Sequence, residues 1–163
     1  GMDVVTDRLF RHMAWANTYV FDRIAEQPEE NLTLTAPNDT WTVAEILEHL
    51  TAARYADLLD GKGNIPTEVP TNKAEVIALR DLSLTFDQRL RESAKNPVGF
   101  VEFTRWDGKE IRRNRETILT QSIHHATEHR AQIAGIFANH GLKVIDLDVI
   151  DLWEFANYEG LGD

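Results

Sequence analysis

His125 and His129 are the two residues whose side chains and spacing are most suited to binding a metal ion in this sequence. Residues four apart on an α-helix lie on one face with Cβ atoms about 5–6 Å apart, so two imidazoles can hold one metal ion. Ile118, Ser122 and Ile133 share that face, which directs the pair towards a core. The alternative is a pair of ordinary core histidines that hydrogen-bond to backbone carbonyls.

A third histidine, His49, is predicted to complete the set. It lies one turn after Ile46 and one turn before Ala53, on the apolar face of an earlier helix. If the two helices are neighbours, three ring nitrogens converge, and positions stay open for water or substrate. The chain has no cysteine, so the ligands are nitrogen and oxygen atoms. Three imidazoles suit zinc, nickel, iron and copper alike.

The first predicted helix supplies candidate pocket residues. His12 and Trp15 are the best candidates for lining the mouth of a pocket, and Asn17 is one of few polar groups near the same stripe. A tryptophan at such a position is more often simply part of the core. Which residues are catalytic is left open by these patterns.

Other polar residues lie beside the candidate ligands in sequence. Glu48 and Glu128 point about 100° away from the histidines that follow them, so both are predicted to be solvated rather than to act as general bases. His124 also faces away from the histidine after it, which favours a bundle-edge or dimer-contact role. Arg130 and Gln132 are candidates for orienting ligands or a partner carbonyl, although Arg130 is equally compatible with a surface charge.

The charge of the chain argues against nucleic-acid partners. Lys and Arg number 17 against 27 Asp and Glu, a formal net charge of −10. An acidic surface repels phosphate backbones, and the densest basic run, at 112–115, is too short to reverse this. No stretch approaches the ~18 consecutive apolar residues of a membrane span, and no secretory signal is visible. We therefore predict no membrane insertion and a cytoplasmic location.

Hydrophobic periodicity predicts an all-α fold. The connections between the long helices exceed those of simple hairpins, which predicts a four-helix bundle with long crossover connections in a single domain, 1–163. Thr42 and Glu45 form a capping box at the start of the second helix. Apolar residues recur at helical spacing in four segments: 3–26, 42–59, 71–94 and 115–139.

Two smaller elements complete the predicted fold. Strand-forming residues in 98–113 surround Asp107-Gly108, which predicts a short β-hairpin with a two-residue turn before the fourth long helix. Asp148 is predicted to cap a short C-terminal helix that contains Ile150 and Phe155.

The sequence resembles the DinB-like (DinB/YfiT-type) family of metalloenzymes. The matching stretches are HMAWANTYVFDRI at 12–24, WTVAEILEHLTAA at 41–53, WDGKEIRRNRETIL at 106–119 and ILTQSIHHATEHRAQIAGIFANHGL at 118–142. The chain departs from the family at His124, which is often asparagine, and at Ala131, which is usually glycine. Some relatives also carry a histidine where Gln121 lies.

The resemblance implies a four-helix bundle that binds zinc, nickel, iron or manganese, with the ligand role carried by His49, His125 and His129. It implies a metal-dependent enzyme with a small-molecule substrate, a transferase that uses a low-molecular-weight thiol such as bacillithiol or mycothiol. Three histidines with an open coordination position are also compatible with a metal-water hydrolase, which we place slightly behind thiol transfer. The alternative is a non-catalytic metal-binding or dimerisation module. Related proteins are often dimers, so a homodimer is expected.

Overall fold

The computed structural model describes residues 3–162, so Gly1, Met2 and Asp163 of the predicted domain lie outside the described residues. The described chain is mostly helical and includes an antiparallel hairpin, as predicted. The four-helix-bundle arrangement stays a prediction. The elements are α1 (Val4–Ala25), a 3₁₀ helix (Glu29–Thr33), α2 (Val43–Leu50), α3 (Ala53–Asp60), α4 (Lys73–Ser93), β1 (Phe100–Thr104), β2 (Glu110–Asn114), α5 (Arg115–Asn139), a second 3₁₀ helix (Leu147–Val149) and α6 (Leu152–Tyr158).

The apolar faces of the helices meet in a common core. α1 packs against α4 and α5, α2 packs against α5, and α3 packs against α4 and α5. Four phenylalanines are fully buried there, and burial of each side chain stabilises the fold by about 1.5–3 kcal/mol. They are Phe10, Phe21, Phe86 and Phe137. Among residues 3–162, every helix is too short or too polar to cross a membrane.

The predicted helix over 42–59 is wrong in one respect, because the structure divides it into α2 and α3. Its start is as predicted: Thr42 and Glu45 form the capping box. At the break Thr51 has an extended backbone (φ −68°, ψ 137°), and its hydroxyl donates to the Glu48 carbonyl at 2.7 Å. In a continuous α-helix that carbonyl would accept from the amide of Ala52, whereas here it accepts from the amide and the hydroxyl of Thr51.

The hairpin and the C-terminal helix also differ in detail from prediction. The backbone of Arg105 pairs with that of Lys109, and Gly108 takes a left-handed conformation (φ 81°), so the turn has three residues instead of two. α6 begins after Asp151, whose side chain accepts from the Glu154 amide. The predicted cap at Asp148 is therefore three residues too early, and Ile150 lies outside α6.

Candidate metal centre

The packing of α2 against α5 brings three histidines together. One ring nitrogen from each of His49, His125 and His129 lies within 4.8 Å of the other two. The Nε2 atoms of His125 and His129 are 2.9 Å apart. Two nitrogens bound to one tetrahedral zinc at ~2.0–2.1 Å would be roughly 3.3 Å apart, so the separation of this pair is close to the one that a bound ion requires.

The three rings differ in their access to solvent. His125 and His129 are half-buried, whereas His49, in the last turn of α2, is exposed. His49 does face α5, as its spacing predicts, with its ring centroid 5.9 Å from that of His129. The ring of Trp41 lies 4.6 Å from His49 and 6.2 Å from His129, and covers one side of the group. The site therefore lies at the edge of the core, open on one side.

The orientation of His129 is set by Gln132, as its position in sequence suggested. His129 Nδ1 is 2.9 Å from Gln132 Oε1. Because an amide oxygen only accepts, Nδ1 carries the hydrogen, and the lone pair of a neutral ring is on Nε2, which faces His125. Burial is the main cause that lowers the pKa of His125 to about 4, followed by the charges of His129 and His49. His125 is thus neutral at neutral pH, the form that binds metal.

A cavity of about 330 Å³ lies beside two of the histidines. Its walls come from the end of α2, the start of α3, the following loop and α5. Tyr55 packs edge-on against His125, with ring centroids 5.4 Å apart. The lining residues are Glu48, His49, Thr51, Ala53, Arg54, Tyr55, Asn64, Thr67 and His125.

The predicted pocket residues of α1 do not line this cavity. His12 Nε2 donates to the Ile150 carbonyl at 2.7 Å, and its ring packs edge-on against Phe155. Trp15 packs against the same phenylalanine, at 5.2 Å. Burial, more than any other cause, lowers the pKa of His12. These two side chains instead join α1 to the C-terminal segment, which sequence spacing had no means of showing.

The third pocket candidate, Asn17, lies in a buried polar cluster between α1, α4 and α5. Its side chain accepts from Arg130 Nη1 at 2.6 Å and donates to Asp87 Oδ2 at 3.3 Å. All three residues are at most 5% exposed. Arg130 is therefore neither a surface charge nor a neighbour of the cavity. Burial raises the pKa of Asp87 to about 7, with Asn17 and Arg130 acting in the opposite direction.

The acidic neighbours of the histidines have different surroundings. Glu128 is exposed, as predicted, and pairs with the exposed His124. Glu48 was predicted to be solvated, but it lines the cavity and accepts from the Thr67 hydroxyl at 2.7 Å. Thr67 belongs to the loop after α3, so the contact joins residues nineteen apart in the chain and depends on how that loop folds back.

Sequence reasoning missed the aromatic and basic residues around the site. Trp41 directly precedes the capping box of α2. Its position next to the helix that carries His49 was a signal that could have identified it. Arg54 and Tyr55 follow the break after α2, so a continuous helix would have given them a different direction. Their place beside His125 depends on that break.

A mostly helical fold with three convergent imidazoles defines a class of helical proteins whose site could hold a metal ion. The chain belongs to the DinB family, whose family model matches residues 2–160, nearly the whole chain. Comparison with curated proteins and with solved structures gave no match.

Proposed function

We propose that the chain is a metal-dependent enzyme that holds one divalent ion with His49, His125 and His129 and acts on a small molecule. The approach of three ring nitrogens to within 4.8 Å of one another supports this most directly. Zinc, nickel, iron and manganese are the candidate ions. Within residues 3–162, no carboxylate or further histidine joins this group, which leaves coordination positions for a substrate.

The chemistry of the donors fits such an ion. All three are imidazoles, His129 is oriented by Gln132, and the lowered pKa of His125 keeps its ring neutral. Metal-binding histidines typically form a hydrogen bond through the ring nitrogen that does not bind the metal, as His129 does with Gln132. Bound there, a divalent ion would act as a Lewis acid and lower the pKa of a water or thiol ligand.

Thiol transfer is the first candidate reaction. The chain has no cysteine, so a thiol nucleophile must come from a low-molecular-weight cosubstrate. Trp41 covers one side of the histidines and Tyr55 packs against His125, so a cosubstrate would approach through the cavity. Membership of the DinB family supports this choice.

Hydrolysis is the second candidate, and Glu48 favours it. Its carboxylate lines the same cavity as His49 and His125, where a general base for a water molecule would be needed. A non-catalytic metal-binding or dimerisation module, the remaining alternative, predicts an occluded site. The cavity beside the histidines favours an enzyme instead.

Elemental analysis of the purified wild-type chain tests the metal site. We expect about one divalent ion per chain, removable by a chelator and restored by adding the metal back. A screen of the metal-loaded protein with and without bacillithiol-type thiols then separates the two reactions, because only transfer requires the thiol. Protein that remains metal-free after incubation with zinc, nickel, iron and manganese would overturn the proposal.

Replacing Gln132 with alanine should weaken metal binding by roughly tenfold. This is the lower end of the range for residues that orient a metal ligand, and we choose it because Gln132 is exposed. The reason is the loss of the bond that holds the His129 ring. Metal affinity measured by competition with a chelator checks this. Gln88→Ala, at an exposed glutamine on α4, is the control; an equal loss in both variants would contradict the assignment.

A further inference from the structure

The cavity beside the histidines contains hydrogen-bond donors that the protein itself does not use. Arg54 and Tyr55 are in the first turn of α3, and Asn64 follows in the next loop. Within residues 3–162, the side chains of these three make no hydrogen bond, and Arg54 makes no ion pair. The Arg54 guanidinium lies near the ring of Phe103, 5.9 Å from its centroid.

Two arginines in neighbouring elements are held by acceptors of the described chain, whereas the exposed Arg54 is not. Arg89 forms an ion pair with Asp60 at 2.8 Å. Arg115 donates to the carbonyls of Asn96 and Leu59. In a chain with 27 acidic residues, an arginine in a cavity wall without a carboxylate partner is available for a ligand.

The acidic group of the cavity is already engaged in part. Glu48 is the carboxylate in the lining, and it already accepts from Thr67 at 2.7 Å. Arg54 is the cation of the lining and can only donate, so it favours a ligand with an anionic acceptor. The guanidinium of Arg54 matches a carboxylate in geometry and charge. The single charge of a carboxylate suits this lining better than the double charge of a phosphate, because Glu48 lies in the same wall and repels anions.

We propose that this cavity binds a small molecule that carries a carboxylate, with the carboxylate on Arg54 and the reactive end directed at His49 and His125. A cavity of about 330 Å³ is at the small end of ligand sites, which limits the ligand to a compact molecule. The placement of the reactive end rests on the proposed metal function. The contact between the carboxylate and Arg54 does not, and it is tested by a separate measurement.

The test compares 3-mercaptopropionate with its methyl ester, which has the same thiol but no charge. Binding of each to the purified protein is measured by calorimetry, and the metal content of the same samples is determined. The wild type should prefer the acid over the ester. Arg54→Gln should weaken binding of the acid by about tenfold, leave the ester unchanged and retain the wild-type metal content. Arg54→Lys should recover part of the preference.

Arg113→Gln is the matched control, since Arg113 is an exposed arginine on β2 outside the cavity. Equal affinities of the wild type for acid and ester, or the same loss in both glutamine variants, would overturn the carboxylate site. The metal proposal is tested separately by the metal content of the wild type, and a wild-type sample without metal would contradict it. An Arg54-dependent preference together with a metal-free protein would leave the carboxylate contact standing and remove the proposed function.

Discussion

The His125→Ala variant should purify without stoichiometric metal. His125 contributes one of three ring nitrogens, and its Nε2 is 2.9 Å from that of His129. The two rings that remain, one of them exposed, offer too few ligands for a stable site. We expect metal affinity to fall by more than the ~10–100-fold that loss of an orienting residue causes. Elemental analysis and competition with a chelator measure the loss.

His124→Ala is the matched control for this experiment. His124 directly precedes His125 on α5 but is exposed and pairs with Glu128, away from the cluster. Its removal should leave the metal content unchanged, and circular dichroism should show that both variants keep their helices. Unchanged metal in His125→Ala would refute the three-histidine site, and equal loss in both variants would point to a general effect on α5.

The Asp87→Asn variant should remove a large pH dependence of stability. Burial raises the pKa of Asp87 from its ordinary value of 3.8 to about 7. Between these two pH values the folded protein holds a proton that the unfolded chain has released. The wild-type free energy of unfolding therefore contains a contribution that is fully present below pH 3.8 and is lost as the pH rises through about 7.

We expect the stability of Asp87→Asn, relative to the wild type, to increase by about 4 kcal/mol between pH 4 and pH 8. Each pH step of one between the unfolded and folded pKa values contributes about 1.4 kcal/mol. Urea unfolding of both proteins across this range gives the difference. Other carboxyls with lowered pKa, such as Asp60 beside Arg89, have the opposite effect but are common to both proteins. Asp81→Asn, an exposed position on the same helix, is the control. A difference that does not change with pH would contradict the buried, protonated Asp87.

Much of the helical framework followed from short-range patterns. The predicted segment 115–139 has the bounds of α5, because periodic apolar residues and Gly141 just past its end are local signals. The capping box at Thr42 and Glu45 is also local, and the structure contains it. The stacking of His125 and His129 on one face follows from helix geometry alone.

Breaks and boundaries that depend on competition between bonds were predicted less well. Thr51 is compatible with a helix by propensity, yet its backbone is extended and α2 ends there. Asp146, Asp148 and Asp151 are all plausible caps by residue type. Asp151 caps α6 and Asp146 caps the preceding 3₁₀ helix, a choice made by packing of the C-terminal segment.

The sequence by itself determined the long helices, the hairpin and a histidine pair on one face, because these depend on residues only a few positions apart. Only the tertiary structure decided that His49 meets that pair at an exposed edge, that Arg54 and Tyr55 border the same cavity, and that Asp87 is buried beside Asn17. These features join segments distant in the chain. Such contacts are selected by the packing of whole helices and loops, which no local pattern of residues encodes.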